Sequence, residues 1–266
     1  MSAAPPSSDL APIDLATLEL DYEGFRRLAA DARLSAHQKI GFPDAYRDGF
    51  EARILADILG KLPALTQAEG LNVVDIGPGC AGLPRMLIEL CRERRHRIVL
   101  VDSPEMLQQL PDLDGVTVKR PGMFPRNAAD VIQALAGGKG IDKADAVICY
   151  SVLHYIYVDC NLFDFLDATV SLLAPGGRAL VGDIPNHSKR RRFFATERGQ
   201  QFHRAFSGSD APYVVAPGPA PGKIDDAVLT GLIQRAQAAG FDAYLVPQGP
   251  DLPMANRRDD LLIVNP

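Results

Sequence analysis

Three glycines and two aspartates form the part of the sequence best suited to bind a small molecule. Gly77, Gly79 and Gly82 have the spacing G-x-G-x-x-G, Asp75 precedes them, and Asp102 ends the next apolar run. Glycine lets the backbone approach a ligand closely, and the N-terminus of a following helix offers free N–H groups. The spacing therefore predicts a site for a nucleotide-like cofactor, of which NAD is one candidate.

The two carboxylates narrow the choice of cofactor. Asp75, just before the glycine turn, would repel the pyrophosphate of a dinucleotide and attract the ammonium group of a methionine moiety. Asp102, followed by Ser103, can accept both hydroxyls of an adenosine ribose, which fits NAD equally well. Together they favour S-adenosylmethionine (SAM) as the cofactor. The alternative for each aspartate is a purely structural role at the end of a strand.

Four short segments resemble the successive motifs of class I SAM-dependent methyltransferases. They are DIGPG at 75–79, Asp102, YSVLHY at 150–155 and LAPGGR at 173–178. The resemblance covers residues 70–184 and the closing strand pair. It implies a Rossmann-like α/β fold whose seven-stranded sheet is mostly parallel with an antiparallel last strand, and with helices on both faces. The cofactor contacts expected from these motifs and their neighbours are Asp75, Gly77, Gly79, Asp102, Ser103, Met106, Met123, Phe124, Tyr150 and Ser151.

One segment departs from the family pattern. Many members carry an acid after a glycine beyond the third strand, where it binds the adenine amino group, but this chain has PGMF at 121–124. Met123 and Phe124 could instead sandwich the adenine ring by polarisable and aromatic contact, with backbone groups reading its edge. The alternative is that both are ordinary core residues.

Three residues are candidates for the chemistry of methyl transfer. This transfer is an in-line displacement, in which a hydroxyl acceptor needs a base and an amine needs only to be deprotonated. His154 follows the fourth strand, and histidine is the side chain whose unperturbed pKa suits base chemistry near neutrality. VLH at 152–154 also resembles the segment that carries the catalytic histidine in plant phenolic O-methyltransferases. Asp183 and His187, at the end of the fifth strand, are expected at the same edge of the sheet.

Further segments indicate the chemical class of the methyl acceptor. The basic run at 189–192 is either a solvated helix start or a clamp for an anionic acceptor such as a phosphate or a nucleotide-linked sugar. Residues 38–46 and 183–190 are similar to bacterial methyltransferases encoded with surface-polysaccharide genes. This resemblance implies a sugar or phosphorylated sugar acceptor, with Phe42 and Tyr46 able to touch cofactor or acceptor.

The periodicity of apolar residues predicts the elements that position these groups. Amphipathic helices are predicted at 23–33 and 45–62, with Asp44 as an N-cap of the second. Short apolar strands then alternate with helices, which indicates a parallel sheet covered on both faces. The strands are 71–76, 97–102, 115–119, 144–150 and 177–184, and the helices are 82–94, a short one from 104, 127–136 and 161–173. After a long connection at 186–222 come a helix at 225–239 and an antiparallel strand pair at 241–247 and 260–265.

Composition limits the remaining function classes. The 266 residues are 47% apolar, enough for a sizeable core, and the net charge of −5 argues against a nucleic-acid partner. No apolar run is long enough to span a membrane, so no membrane partner is expected. The cysteines lack zinc-site spacing and the N-terminus lacks a secretory signal, which predicts a cytoplasmic protein without a metal site.

These observations combine into one prediction of organisation and function. We expect a disordered tail at 1–13, an N-terminal helical lid at 14–66 and a SAM-binding domain at 67–266 with an acceptor-binding insertion at 186–222. The predicted reaction is SAM-dependent methylation of a hydroxyl on a small metabolite, such as a sugar or phosphorylated sugar, and a homodimer is allowed. The alternatives are an N-methyltransferase, an NAD-dependent oxidoreductase or a SAM-binding partner protein without turnover.

Overall fold

Seven strands form one mixed sheet in the computed structural model, which describes residues 20–41, 49–137, 142–214, 218 and 221–266. The strands are β1 (Asn72–Ile76), β2 (Arg97–Asp102), β3 (Thr117–Pro121), β4 (Ala144–Tyr150), β5 (Leu173–Pro185), β6 (Asp242–Val246) and β7 (Arg258–Val264). Their order is β3-β2-β1-β4-β5-β7-β6. Strands β1 to β5 pair in parallel, whereas β7 runs antiparallel to both β5 and β6. The predicted sheet is thereby confirmed.

Helices cover both faces of the sheet. They are α1 (Tyr22–Ala30), α2 (Ala36–Lys39), α3 (Glu51–Lys61), α4 (Ala64–Gln67), α5 (Gly82–Glu93), α6 (Pro104–Leu107), α7 (Ala128–Ala136), α8 (Leu153–Asp159), α9 (Leu162–Ser171), α10 (His187–Phe194), α11 (Glu197–Ser207) and α12 (Asp226–Ala238). Successive residues of the central strands belong to two different buried clusters, as the side-chain alternation of a strand requires. Val73 packs with α3 and α5, whereas Val74 packs with α7, α9 and α12.

Helix α8 is the main element that the sequence pattern did not predict. It begins at Leu153, and it buries Leu153 and Ile156, which lie one helical turn apart. Two apolar positions over so short a segment are too weak a signal to separate a helix from a loop. The connection predicted at 186–222 also contains two helices, α10 and α11, in its described part, and the basic run lies within α10.

Some predictions concern residues outside the described ranges. The tail at 1–13 and the residues Phe42, Asp44 and Tyr46 all lie there, and the helix predicted at 45–62 is described only from Glu51. Within the described ranges, no helix combines the length and apolar character needed to cross a membrane. No group of three or more His, Cys, Asp or Glu side chains in those ranges is arranged to hold a metal ion.

Candidate active site

A large cleft opens at the carboxyl ends of β1, β2 and β4. Its empty volume, including the open mouth, is about 1090 Å³. The sheet order places β1 next to β4, and the connections that leave these two strands run in opposite directions, towards β2 and β5. Open α/β sheets form their ligand crevice at such a point. All of the cofactor candidates except Asp75 line this cleft, namely Gly77, Gly79, Asp102, Ser103, Met106, Met123, Phe124, Tyr150 and Ser151.

The glycine turn after β1 is shaped for close approach. Gly77 and Gly79 have positive φ angles of 70° and 66°, which favour glycine over any other residue. A Cβ on Gly77 would lie 2.6 Å from a methyl carbon of Val152, and one on Gly79 would lie 2.6 Å from a methyl carbon of Ile40. The turn therefore leaves no room for side chains and presents its backbone to the cleft.

Asp102 connects the end of β2 to this turn. One carboxylate oxygen accepts the Gly79 N–H at 2.9 Å, and the other accepts the Ser103 N–H at 2.6 Å. Burial raises the pKa of Asp102 to about 6, against the opposing effect of these two hydrogen bonds. Because Asp102 also lines the cleft, it can hold the turn and face a ligand hydroxyl at the same time.

Asp75 does not reach the cleft. It is buried within β1, on the same face of the sheet as Val73, where α3 and α5 pack. Burial and the nearby charge of Asp102 raise the pKa of Asp75 to about 8. The side chain is therefore buried and is not among those that line the cleft, where contact with a ligand ammonium group was predicted.

A different carboxylate, Glu51, lies against the glycine turn and lines the cleft. Its Oε1 accepts the backbone N–H of Gly82 at 3.0 Å and lies 2.8 Å from Nε2 of His37. No local motif in the sequence marks Glu51, and it is not among the predicted site residues. Its place depends on how α3 packs beside α5, which only the assembled chain shows.

Two segments beyond β2 and β3 form an apolar wall of the cleft. The Ser103 hydroxyl accepts the backbone N–H of Met106 at 3.2 Å and so caps the short helix α6. Phe124 is only 4% exposed and packs edge-to-face on Phe165 with ring centroids 5.8 Å apart. Phe124 thus belongs to the core and to the cleft, whereas Met123 is half-buried beside it.

The N-terminal helices supply the opposite wall. Tyr22, Phe25 and Ile40 line the cleft, and the ring of Phe25 packs edge-to-face on that of Tyr155 at 4.7 Å. Polar contacts hold α1 and α2 against α6 and the residues that follow it. The Arg26 guanidinium donates to Glu105 at 2.7 Å, Lys39 Nζ donates to Gln109 at 2.8 Å, and Gln109 donates to the Ala29 carbonyl at 3.0 Å.

The three candidate catalytic residues do not line the cleft. His154 lies in the first turn of α8, where its ring centroid is 3.9 Å from that of Tyr155, which does line the cleft. His187 begins α10, and its backbone N–H donates to the Ile224 carbonyl at 2.8 Å. Asp183 is buried behind Ser151, whose hydroxyl donates to it. Their predicted part in catalysis thus has no support from the lining of this cleft and stays a prediction.

Asp183 belongs to a buried polar network instead. Arg258 Nη1 donates to its carboxylate at 3.2 Å and to its backbone carbonyl at 2.7 Å. The Asp183 backbone N–H donates a hydrogen bond to Asp260 at 2.7 Å, and Asp260 also accepts one from Lys61 Nζ at 2.6 Å. These bonds tie β5, β7 and α3 together beneath the end of β4.

Two residues of the basic run of α10, Lys189 and Arg192, are engaged with acidic partners. Lys189 Nζ donates to Asp259 at 2.7 Å and to the Arg258 carbonyl at 2.6 Å, and Arg192 forms an ion pair with Asp226. Neither Lys189 nor Arg192 lines the cleft. The charged side chains that line it among the described residues are all carboxylates, namely Glu51, Asp102 and Asp159.

Part of the chain that forms this cleft matches a known protein family. Residues 74–179 match the family model described as a methyltransferase domain. This range contains the glycine turn, Asp102 and the segment after β4. Among curated proteins, none matches the chain significantly.

Several solved structures share the fold. The N-methyltransferase NodS from Bradyrhizobium japonicum WM9, in complex with S-adenosylhomocysteine (SAH), is 15% identical with a TM-score of 0.51, over 92% of this chain and 98% of that one. The plantazolicin methyltransferase BpumL, also with SAH, is 10% identical with a TM-score of 0.52, over 91% and 95%. A methyltransferase bound to the Trm112 activator of Haloferax volcanii is 17% identical with a TM-score of 0.50, over 91% and 97%. At these identities the likeness is one of fold.

Proposed function

We propose, from the premise that this chain is a class I SAM-dependent methyltransferase, that it methylates a small acceptor, neutral or positively charged, bound beneath its N-terminal helices. One observation carries the proposal. Every charged side chain that lines the cleft in the described part of the chain is a carboxylate. Such a lining attracts cations and repels anions, most strongly where the walls exclude water.

The cleft has the parts that a SAM molecule needs. Asp102 is placed to accept the ribose hydroxyls, and Met106 and Met123 offer polarisable contacts for the adenine ring. The turn at Gly77 and Gly79 lines the cleft with backbone that carries no side chains, along which the amino-acid tail can lie. When bound, SAM supplies an electrophilic methyl group on a positively charged sulfur, whose charge suits the acidic lining.

The acceptor is proposed to lie beside α8. This helix starts at the carboxyl end of β4, and its residues Tyr155, Ile156 and Asp159 line the cleft next to Phe25 of α1. Aromatic faces stabilise a nearby cation, and a carboxylate can accept hydrogen bonds from an ammonium group. The pair of Phe25 and Tyr155 with Asp159 therefore provides a recognition surface for an amine.

Transfer then requires alignment and the loss of one proton. With SAM bound, the acceptor ammonium group would first give one proton to Asp159 or to water. Its nitrogen lone pair could then take the methyl group, while the sulfur kept the electron pair of the broken sulfur–methyl bond. Tyr155 and Phe25 hold the acceptor in line, and the apolar wall excludes competing water. An alkylammonium group is mostly protonated near neutral pH, so Asp159, which binds it, is also the group placed to take its proton.

Methylation of a neutral hydroxyl, including that of a sugar, is the second candidate. Asp159 favours it, since a carboxylate in the cleft can take the hydroxyl proton during transfer. A phosphorylated sugar fits less well, because its charge has the same sign as the lining of the described cleft. An NAD-dependent oxidoreductase is set aside, because the cofactor is SAM.

The test is an acceptor panel with product detection by mass spectrometry. Amines, neutral sugars and phosphorylated sugars are compared as acceptors at equal concentration. We expect amines to be methylated most efficiently, and Asp159→Asn to lower kcat/KM for them by about tenfold to a hundredfold, through loss of a charge-assisted hydrogen bond. The matched control is Asp164→Asn, an exposed carboxylate of α9 outside the cleft, which should leave kcat/KM unchanged.

The panel also separates the rival outcomes. Preferred methylation of neutral hydroxyls, with Asp159→Asn lowering kcat and leaving KM unchanged, would replace the amine by the second candidate. Preferred methylation of phosphorylated sugars would overturn the charge argument altogether.

A further inference from the structure

We infer that Glu51 binds the α-ammonium group at the end of the SAM amino-acid tail, in the role that sequence reasoning assigns to Asp75. The inference rests on the proposed placement of the cofactor, with the ribose at Asp102 and the tail along the glycine turn.

Glu51 has the position that this role demands. It is the first residue of α3, its side chain is 20% exposed, and it lines the cleft. Among the described residues, both hydrogen bonds to this carboxylate reach Oε1, one from Gly82 and one from the ring of His37. The second oxygen, Oε2, is therefore the one that a ligand ammonium group can use.

The carboxylates of Asp102 and Glu51 bind the glycine turn at two different residues. Asp102 contacts the turn at Gly79, and Glu51 contacts it further along at Gly82. A ribose placed on Asp102 directs the tail away from β2, along the backbone of the turn. The charged end of that tail then arrives beside Glu51.

Asp75 cannot serve in the same way. Its side chain is 5% exposed and does not line the cleft. Burial raises the pKa of Asp75 to about 8, so that it is mostly protonated near neutral pH and offers an ammonium group little charge. Of Glu51 and Asp75, Glu51 is the one that both touches the turn and lines the cleft.

A purely structural role for Glu51 is the competing explanation. Helix α5 has Ala81 at its N-cap, with no side-chain acceptor of its own, and Glu51 satisfies the N–H of Gly82 at that helix end. A cap of this kind stabilises the helix and the turn. Its loss would weaken every ligand that uses the turn, whether or not the ligand has an amino group.

The experiment compares ligands with and without the tail. SAH carries the amino-acid group, whereas 5′-methylthioadenosine keeps the adenosine and sulfur but lacks that group. Binding of each to the wild type and to Glu51→Gln is measured by calorimetry, with the weaker ligand measured by displacement. We expect Glu51→Gln to raise the Kd of SAH by about tenfold or more and to leave that of 5′-methylthioadenosine within about twofold.

Asp75→Asn is the matched control, and it should leave the ratio of the two Kd values unchanged. Equal weakening of both ligands by Glu51→Gln would assign Glu51 a capping role, and no weakening of either would exclude the contact. If Glu51→Gln does not fold, Glu51→Asp is measured, and an unchanged ratio there contradicts the inference. Failure of the wild type to bind either ligand would instead refute the proposed placement of the cofactor.

Discussion

The side chains of Ser151 and Asp183 are hydrogen-bonded to each other across the carboxyl ends of β4 and β5, and both residues have left-handed backbone conformations. The Ser151 hydroxyl donates to Asp183, and the φ angles are 65° and 55°. Such conformations cost energy in residues other than glycine and persist where neighbouring contacts impose them. Asp183, anchored by Arg258, thus holds Ser151 at the rim of the cleft and acts as a positioning residue.

Asp183→Asn should therefore act on stability more than on proton transfer. The substitution removes the charge that compensates Arg258, which is 9% exposed, and should destabilise the fold by about 3 kcal/mol. Urea unfolding measures this loss. The pH profile of kcat should keep its shape in the remaining folded enzyme, whereas loss of an ionisation from that profile would make Asp183 a catalytic base.

His154→Ala should reduce kcat by less than about threefold, because the imidazole does not line the cleft. Loss of a general base, by contrast, typically lowers kcat by about a hundredfold or more. Steady-state kinetics with the best acceptor of the panel provides the measurement. A hundredfold fall in kcat at unchanged thermal stability would restore His154 to the role that the sequence resemblance implies.

Gly77→Ala should lower SAH affinity by about tenfold or more, because its Cβ would meet Val152 at 2.6 Å in a turn with a positive φ angle. Gly176→Ala is the matched control, since Gly176 has a φ angle of 76° and no atom within 4 Å of an added Cβ. That control carries the backbone strain alone and should keep the wild-type Kd.

Combining Gly77→Ala with Val152→Ala tests the steric explanation directly. Removal of the Val152 methyl groups should recover part of the lost SAH affinity in calorimetry. No recovery would mean that backbone strain at Gly77, and not contact with Val152, accounts for the loss.

The stability of the protein should fall as pH rises from about 4 to about 8. Burial raises the pKa of Asp75 to about 8 and that of Asp102 to about 6, so the folded chain binds more protons than the unfolded chain in this window. The free energy of unfolding therefore decreases with pH there. Asp75→Asn should remove much of this slope in urea unfolding between pH 5 and pH 8, and an unchanged slope would contradict the assignment to Asp75.

The local sequence pattern was sufficient to predict much of the fold. The apolar runs at 97–102 and 144–150 coincide with β2 and β4, because a strand buried on both faces leaves a continuous apolar signature. The glycine spacing likewise located the turn whose backbone lines the cleft, since only glycine tolerates positive φ angles beside close neighbours.

Contacts between distant segments could not be predicted in this way. Asp75 has the right place in its motif, yet its side chain is buried within β1 and does not line the cleft. Glu51 has no motif, yet the packing of α3 beside α5 brings it to Gly82 and into the cleft. The periodicity of apolar residues indicates which face of a helix or strand is buried. The side chains that meet across a cleft depend instead on how whole helices and strands pack together. That packing is determined by contacts throughout the core, not by any local motif.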